Sequence, residues 1–245
     1  MATHTLALVG AAGGVGTTRL TFECGATLAR TGRDVAIFDA AFETQGLASD
    51  LPGSIESDVT ALATEEATLE SVLYDHPTDL PGRLALCPAR APFERLARGK
   101  TAGAAQHFER QLAAASLSHD VVLVDTPPVG SNQSLAAVNA ADRRAIVTTD
   151  SPRGSDALAR ARDRFTDIGA DVDAVIANRA GSDPRVDADV AVPETDVHAP
   201  GECPATVPPD ESFAPAVAGV VEAAFETRLD LDFPDGGRLS SLVDR

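Results

Sequence analysis

Apolar positions fall into short unalternating runs separated by longer stretches of helical periodicity. Thr5-Leu6-Ala7-Leu8-Val9, Val35-Ala36-Ile37-Phe38, Val121-Val122-Leu123-Val124 and Ala145-Ile146-Val147 are runs of strand length. Strands that are apolar at every position are buried on both faces, the habit of parallel sheets covered by helices. Residues 84–87, stopped by Pro88, and 172–178 read as two more strands. Between the runs, Ala104, Phe108, Leu112 and Ala115 recur at helical spacing, which predicts a helix over 101–118. Further helices are predicted up to Arg30 and over 62–74, 131–140, 156–168 and 214–229, with a loop and a small helix over 42–51. From 180 to 210 Pro, Asp and Val dominate, so short strands are expected there. The alternation predicts an α/β fold, a three-layer sandwich around a mostly parallel central sheet. At 245 residues the chain suits one large domain, 1–229, followed by an acidic tail, 230–245.

The sharpest local signal lies between the first strand and the first helix: Gly10-Ala11-Ala12-Gly13-Gly14-Val15-Gly16-Thr17-Thr18-Arg19. With the following strand, which ends in Asp39, it makes one βαβ unit. Main-chain N–H groups at the start of such a helix point outward, and the helix dipole adds about half a positive charge there. The turn therefore favours an anion. Gly13, Gly14 and Gly16 let the backbone wrap a phosphate without Cβ clashes. Thr17 and Thr18 bring hydroxyls that cap the helix or ligate a phosphate-bound Mg²⁺. Both a dinucleotide turn with Asp39 as ribose-binding acid and a phosphate loop fit these residues; the bland alternative is a tight turn that binds nothing.

Composition narrows the choice of partners. The formal charge is −17, and Lys100 is the single lysine. Abundant aspartate with almost no lysine suits the cytoplasm of an extreme halophile, where salt shrinks the Debye length to ~3 Å or less. No basic patch is present to hold DNA or anionic lipid directly. Cys24, Cys87 and Cys203 form no Cys-x-x-Cys pair and read as reduced thiols, and the histidines at 4, 76, 107, 119 and 198 are too scattered for a metal site. No export signal and no apolar run near ~18 residues is seen.

A dehydrogenase reading lacks its equipment. The sole tyrosine, Tyr74, has Thr78 rather than lysine four residues on, and the glycine turn comes too early for a preceding substrate domain. The segment 12–19 instead resembles the deviant Walker A loop of the MinD/ParA ATPases, Lys-Gly-Gly-x-Gly-Lys-Thr-Thr, and the resemblance runs to about residue 228. Residues 120–128 are similar to that family's Walker B and switch II segment, 174–179 to its strand ending in Asn-Arg, and 192–194 to its proline-bearing base loop.

The resemblance implies ATP or ADP as ligand, held by Gly13, Gly14, Val15, Gly16, Thr17, Thr18 and Arg19, with Asn178, Arg179 and Pro193 at the base. It also implies Mg²⁺ held by Thr18 and, through water, by Asp125. Three departures fall on chemistry: Ala12 and Thr17 replace the two loop lysines, and Ala41 replaces the second acid of switch I, leaving Asp39. Arg19, or intracellular K⁺ in the vacated ammonium position, is a candidate for the missing charge, and Glu43 for orienting water. The expectation is a nucleotide-binding switch with slow or no hydrolysis, acting in spatial organisation as a homodimer and through a protein partner. The alternatives are a nucleotide-free scaffold and an ATPase rebuilt on Arg19, Glu43 and K⁺.

Overall fold

The computed structural model describes residues 4–197, 202–207, 209 and 212–233. Most of the acidic tail expected over 230–245, from 234 on, lies outside the described residues. Among the described residues eight strands make one sheet: β1 His4–Gly10, β2 Asp34–Asp39, β3 Tyr74–Asp75, β4 Arg83–Cys87, β5 Val121–Thr126, β6 Arg143–Thr149, β7 Ala174–Asn178 and β8 Val190–Val192. Their order is β3-β4-β2-β5-β1-β6-β7-β8. Every pairing is parallel except that of β3, which runs antiparallel to β4.

The unalternating runs feed two cores at once. Leu6 and Leu8 of β1, Ile37 of β2 and Leu123 of β5 face one side, where they pack with Phe22, Val217 and Val221. Those last three residues belong to α1 Thr17–Arg30 and α7 Phe213–Phe225. The intervening Phe38, Val122 and Val124 face the other side with Phe108 and Leu112 of α4 Ala102–Ala115. Further along that side, Ala7, Val9 and Ile146 meet Val138 of α5 Asn132–Ala140 and Leu158 and Phe165 of α6 Pro152–Ile168. Each strand thus presents alternate residues to opposite helix layers.

Three stretches differ from the sequence expectation. The helix expected over 62–74 is cut short to α2 Val59–Ala63, which Asp58 caps by accepting from the Ala61 N–H, and a later 3-10 turn Glu70–Val72. The chain breaks at Glu65, whose φ of 63° is left-handed, so the helical ladder cannot continue through it. Tyr74–Asp75 then adds the antiparallel edge strand, and α3 Phe93–Gly99 is a further helix that the pattern did not reveal. The last helix stops at Phe225, before a left-handed Glu226, rather than at 229. Among the described residues no helix is long and apolar enough to cross a membrane.

Candidate functional site

Helices α4, α5 and α6 each begin with a hydroxyl cap, Thr101, Ser131 and Ser151. Helix α1 begins differently, on left-handed Gly16 and with no side-chain cap. Its first ladder bond runs from Leu20 N–H to Gly16 O, 3.0 Å, so the amides of residues 17–19 lie outside the ladder. Gly14 and Gly16 have φ of 78° and 91°, a region that favours glycine and that the loop needs in order to curl. This uncapped turn follows β1, which lies between β5 and β6, at the carboxyl ends of the central strands. Open α/β sheets bind ligands in that crevice.

Asp125, the acid expected to serve the site, lies beside the head of α1. Thr18 Oγ1 donates to Asp125 Oδ2 at 2.6 Å. Asp39 is the register partner of Asp125 across β2 and β5, and both are buried. Asp39 accepts from the Ala41 N–H at 2.8 Å and the Ala89 N–H at 3.4 Å. Burial first, then the neighbouring Asp125 carboxylate, pushes the Asp39 carboxyl up to about 8. Burial also raises Asp125 to about 6, against the opposing pull of the Thr18 hydrogen bond. Two adjacent buried carboxyls that resist ionising are a donor set suited to a hard divalent cation. The Thr18 hydroxyl oxygen, its O–H directed at Asp125, offers lone pairs of the same kind. These residues fit Mg²⁺.

Thr17, at the position of the missing P-loop lysine, folds against the end of β1: a Cβ on Gly10 would lie 2.8 Å from its Oγ1. Across the loop, Asn178 at the end of β7 donates from Nδ2 to Val15 O at 2.8 Å. Arg179, left-handed at φ 55°, donates from Nη1 to Gly14 O at 3.4 Å. A methyl group on Gly16 would collide with the Asn178 amide, so only glycine admits this clasp. Gly16, Arg19, Asn178, Arg179 and Pro193 line one small cavity of about 110 Å³ with Phe213. Five of the residues singled out in the sequence thus converge there, and Gly13, Gly14, Val15 and Gly16 form the loop beside it.

Two of the expected site residues are engaged in ion pairs. Arg19, expected to bring its guanidinium to the phosphates, binds Glu23 Oε1 through Nε at 2.7 Å, while its buried Nη2 has no hydrogen-bond partner among the described residues. Glu23 is fully buried and also accepts from the Ala205 and Thr206 N–H groups and from Thr206 Oγ1, at 2.8, 3.0 and 2.8 Å. A buried carboxylate needs that counter-charge, so the arginine is held along its own helix. Glu43, expected to orient water, is paired with Lys100 Nζ at 2.6 Å. The spacing of Arg19 and Glu23, four apart on a helix, was a readable signal for the first pair. For the second, the only signal was the singularity of the lysine.

No protein-family model matches the chain, and no curated protein matches it by sequence. Solved structures do. It is similar to the septum site-determining protein MinD complexed with Mg-ADP from Pyrococcus horikoshii OT3: 18% identity, TM-score 0.76, covering 90% of this chain and 95% of that one. It is also similar to the cell division ATPase MinD of Pyrococcus furiosus, at 17% identity and TM-score 0.78, over 92% and 99% of the two chains. A complex of a Cyanothece McdA variant with ATP matches at 17% identity and TM-score 0.74, over 94% and 99%. Identities this low speak for architecture, and the chain has the fold of the MinD/ParA-type P-loop ATPases.

Proposed function

We propose that the chain is a nucleotide-gated switch that holds ATP with Mg²⁺ on the glycine loop and hydrolyses it slowly or not at all. The observation that carries this reading is the Thr18–Asp125 hydrogen bond at the mouth of an uncapped glycine turn. The likeness to a MinD complexed with Mg-ADP and to an McdA–ATP complex supports the choice of ligand. Amides at the head of α1 bind phosphate oxygens, Thr18 and Asp125 hold the metal, and Asn178 with Pro193 bounds the base. Asn178 suits adenine because an amide offers one donor and one acceptor edge. Bound Mg²⁺ supplies positive charge to the phosphates in a loop that has no lysine of its own.

Slow turnover follows from what the chain lacks. Phosphoryl transfer depends on positioning and charge stabilisation, and single elements of that kind contribute ~10²–10⁵ in rate. Ala12, Thr17 and Ala41 remove three of them. Of the proposed substitutes, Arg19 is paired with the buried Glu23 along its own helix. A switch of this kind acts through a partner, as the MinC:MinD complex of Aquifex aeolicus illustrates for a similar structure. We assign this chain a role in positioning or division, as a homodimer in a salt-rich cytoplasm. A nucleotide-free scaffold is the second reading, favoured by the neutralisation of Arg19.

Calorimetry with Mg·ATP in molar KCl, with phosphate release followed in parallel, tests the reading. Binding heat is expected in the native chain, about 10–100-fold weaker binding in Asp125→Ala, and turnover on the order of one per hour. No heat at any salt concentration would establish the scaffold instead. Release many-fold faster would establish a working ATPase.

A further inference from the structure

The only lysine of the chain lies where the segments that leave β2 and β5 converge. Lys100 caps α3, and its Nζ is 2.6 Å from Glu43 Oε1, four residues beyond Asp39. The same loop reaches the phosphate turn three residues later. A Cβ on Gly46 would lie 3.2 Å from Thr18 Cγ2 and 3.3 Å from Thr18 Oγ1, the hydroxyl that is bound to Asp125. On the other side, Asn132 Nδ2 donates to Lys100 O at 2.9 Å, and Asn132 opens α5, the helix that follows the strand of Asp125. Lys100 therefore touches the segments leaving both β2 and β5.

Side-chain choice points the same way. Among the described residues, the other ion pairs to carboxylates are made by arginine or by His107. Arginine is rigid and forked, whereas lysine is a compact charge on a flexible stem and a common binder of phosphate. The Lys100 and Glu43 side chains are 38% and 44% exposed, so water screens the pair and it is readily exchanged.

We propose that Lys100 is the mobile ammonium of this site, leaving Glu43 to engage the terminal phosphate of a bound nucleoside triphosphate. It thereby replaces, from the switch side, the lysines missing at positions 12 and 17. The proposal rests on the nucleotide reading above and adds a second contact class, one that distinguishes triphosphate from diphosphate.

Equilibrium binding of Mg·ATP and Mg·ADP in molar KCl to the native chain, Lys100→Ala and Glu43→Gln tests it, with thermal melts as the control for folding. Lys100→Ala is expected to weaken Mg·ATP about 10–100-fold and Mg·ADP by less than about threefold, reflecting loss of one charge-assisted contact. Glu43→Gln, which frees the ammonium without removing it, is expected to tighten Mg·ATP by about threefold. Equal losses for both nucleotides in Lys100→Ala, or no loss for either, would overturn the proposal and leave the nucleotide reading standing. If Lys100→Ala melts early, the sign of the Glu43→Gln effect decides alone, and unchanged or weaker Mg·ATP binding overturns it. Failure of the native chain to bind either nucleotide would remove both.

Discussion

The amide of Gln133, the second residue of α5, is fully buried, and among the described residues neither its nitrogen nor its oxygen has a hydrogen-bond partner. A buried, unpaired polar group costs about 1–3 kcal/mol. Gln133→Met keeps the length of the side chain and removes both orphan atoms. Chemical denaturation should show this variant more stable by about 1–3 kcal/mol; a less stable variant would mean that the amide is satisfied in solution. Single residues also show the limits of reading a sequence. Thr18 and Asp125 were legible because a motif fixes both. The clasp of Asn178 on Val15 was not, because a side chain's choice between a ligand edge and a backbone carbonyl depends on how β7 is placed against the loop.

At the scale of elements, the site is a junction between the ends of β2 and β5. Parallel pairing puts Asp39 beside Asp125 in register, and helices on both faces keep water away. The Asp39 pKa is raised from 3.8 to about 8, so the folded chain holds a proton that the unfolded chain releases. Below pH ~4 both states are protonated and the group has no effect on stability. As pH rises from about 4 to about 8 the unfolded state is favoured, and stability falls. Urea melts across that range should therefore show a declining midpoint, which Asp39→Asn flattens. Mg²⁺ is expected to flatten it too, by replacing the proton with a cation. A decline that is identical in Asp39→Asn would place the titration elsewhere on this acidic chain. The strands at this junction were legible as unalternating apolar runs. The two-residue β3 and the short α3 were not, since each is fixed by packing onto a neighbour rather than by a local pattern.

The whole molecule carries −17, and its only lysine is paired with Glu43 on the loop that leaves β2. Such a surface repels a polyanionic ligand at long range and does so least in concentrated salt. Alternation of strand and helix made the layered architecture readable, apart from the stretch between β2 and α4. The ion pairs Arg19–Glu23 and Lys100–Glu43 redistribute the site's charge, and the second joins residues 57 positions apart that only the finished sheet brings together. On the proposed reading, a phosphate at the head of α1 meets main-chain amides first. Amide ¹H–¹⁵N spectra recorded in molar KCl, before and after Mg·ATP, read that contact directly. The account predicts that the resonances of Gly13, Gly14, Gly16, Thr17 and Thr18 move together and saturate with the nucleotide. Shifts confined to other segments, with these five unmoved at saturating Mg·ATP, would contradict it.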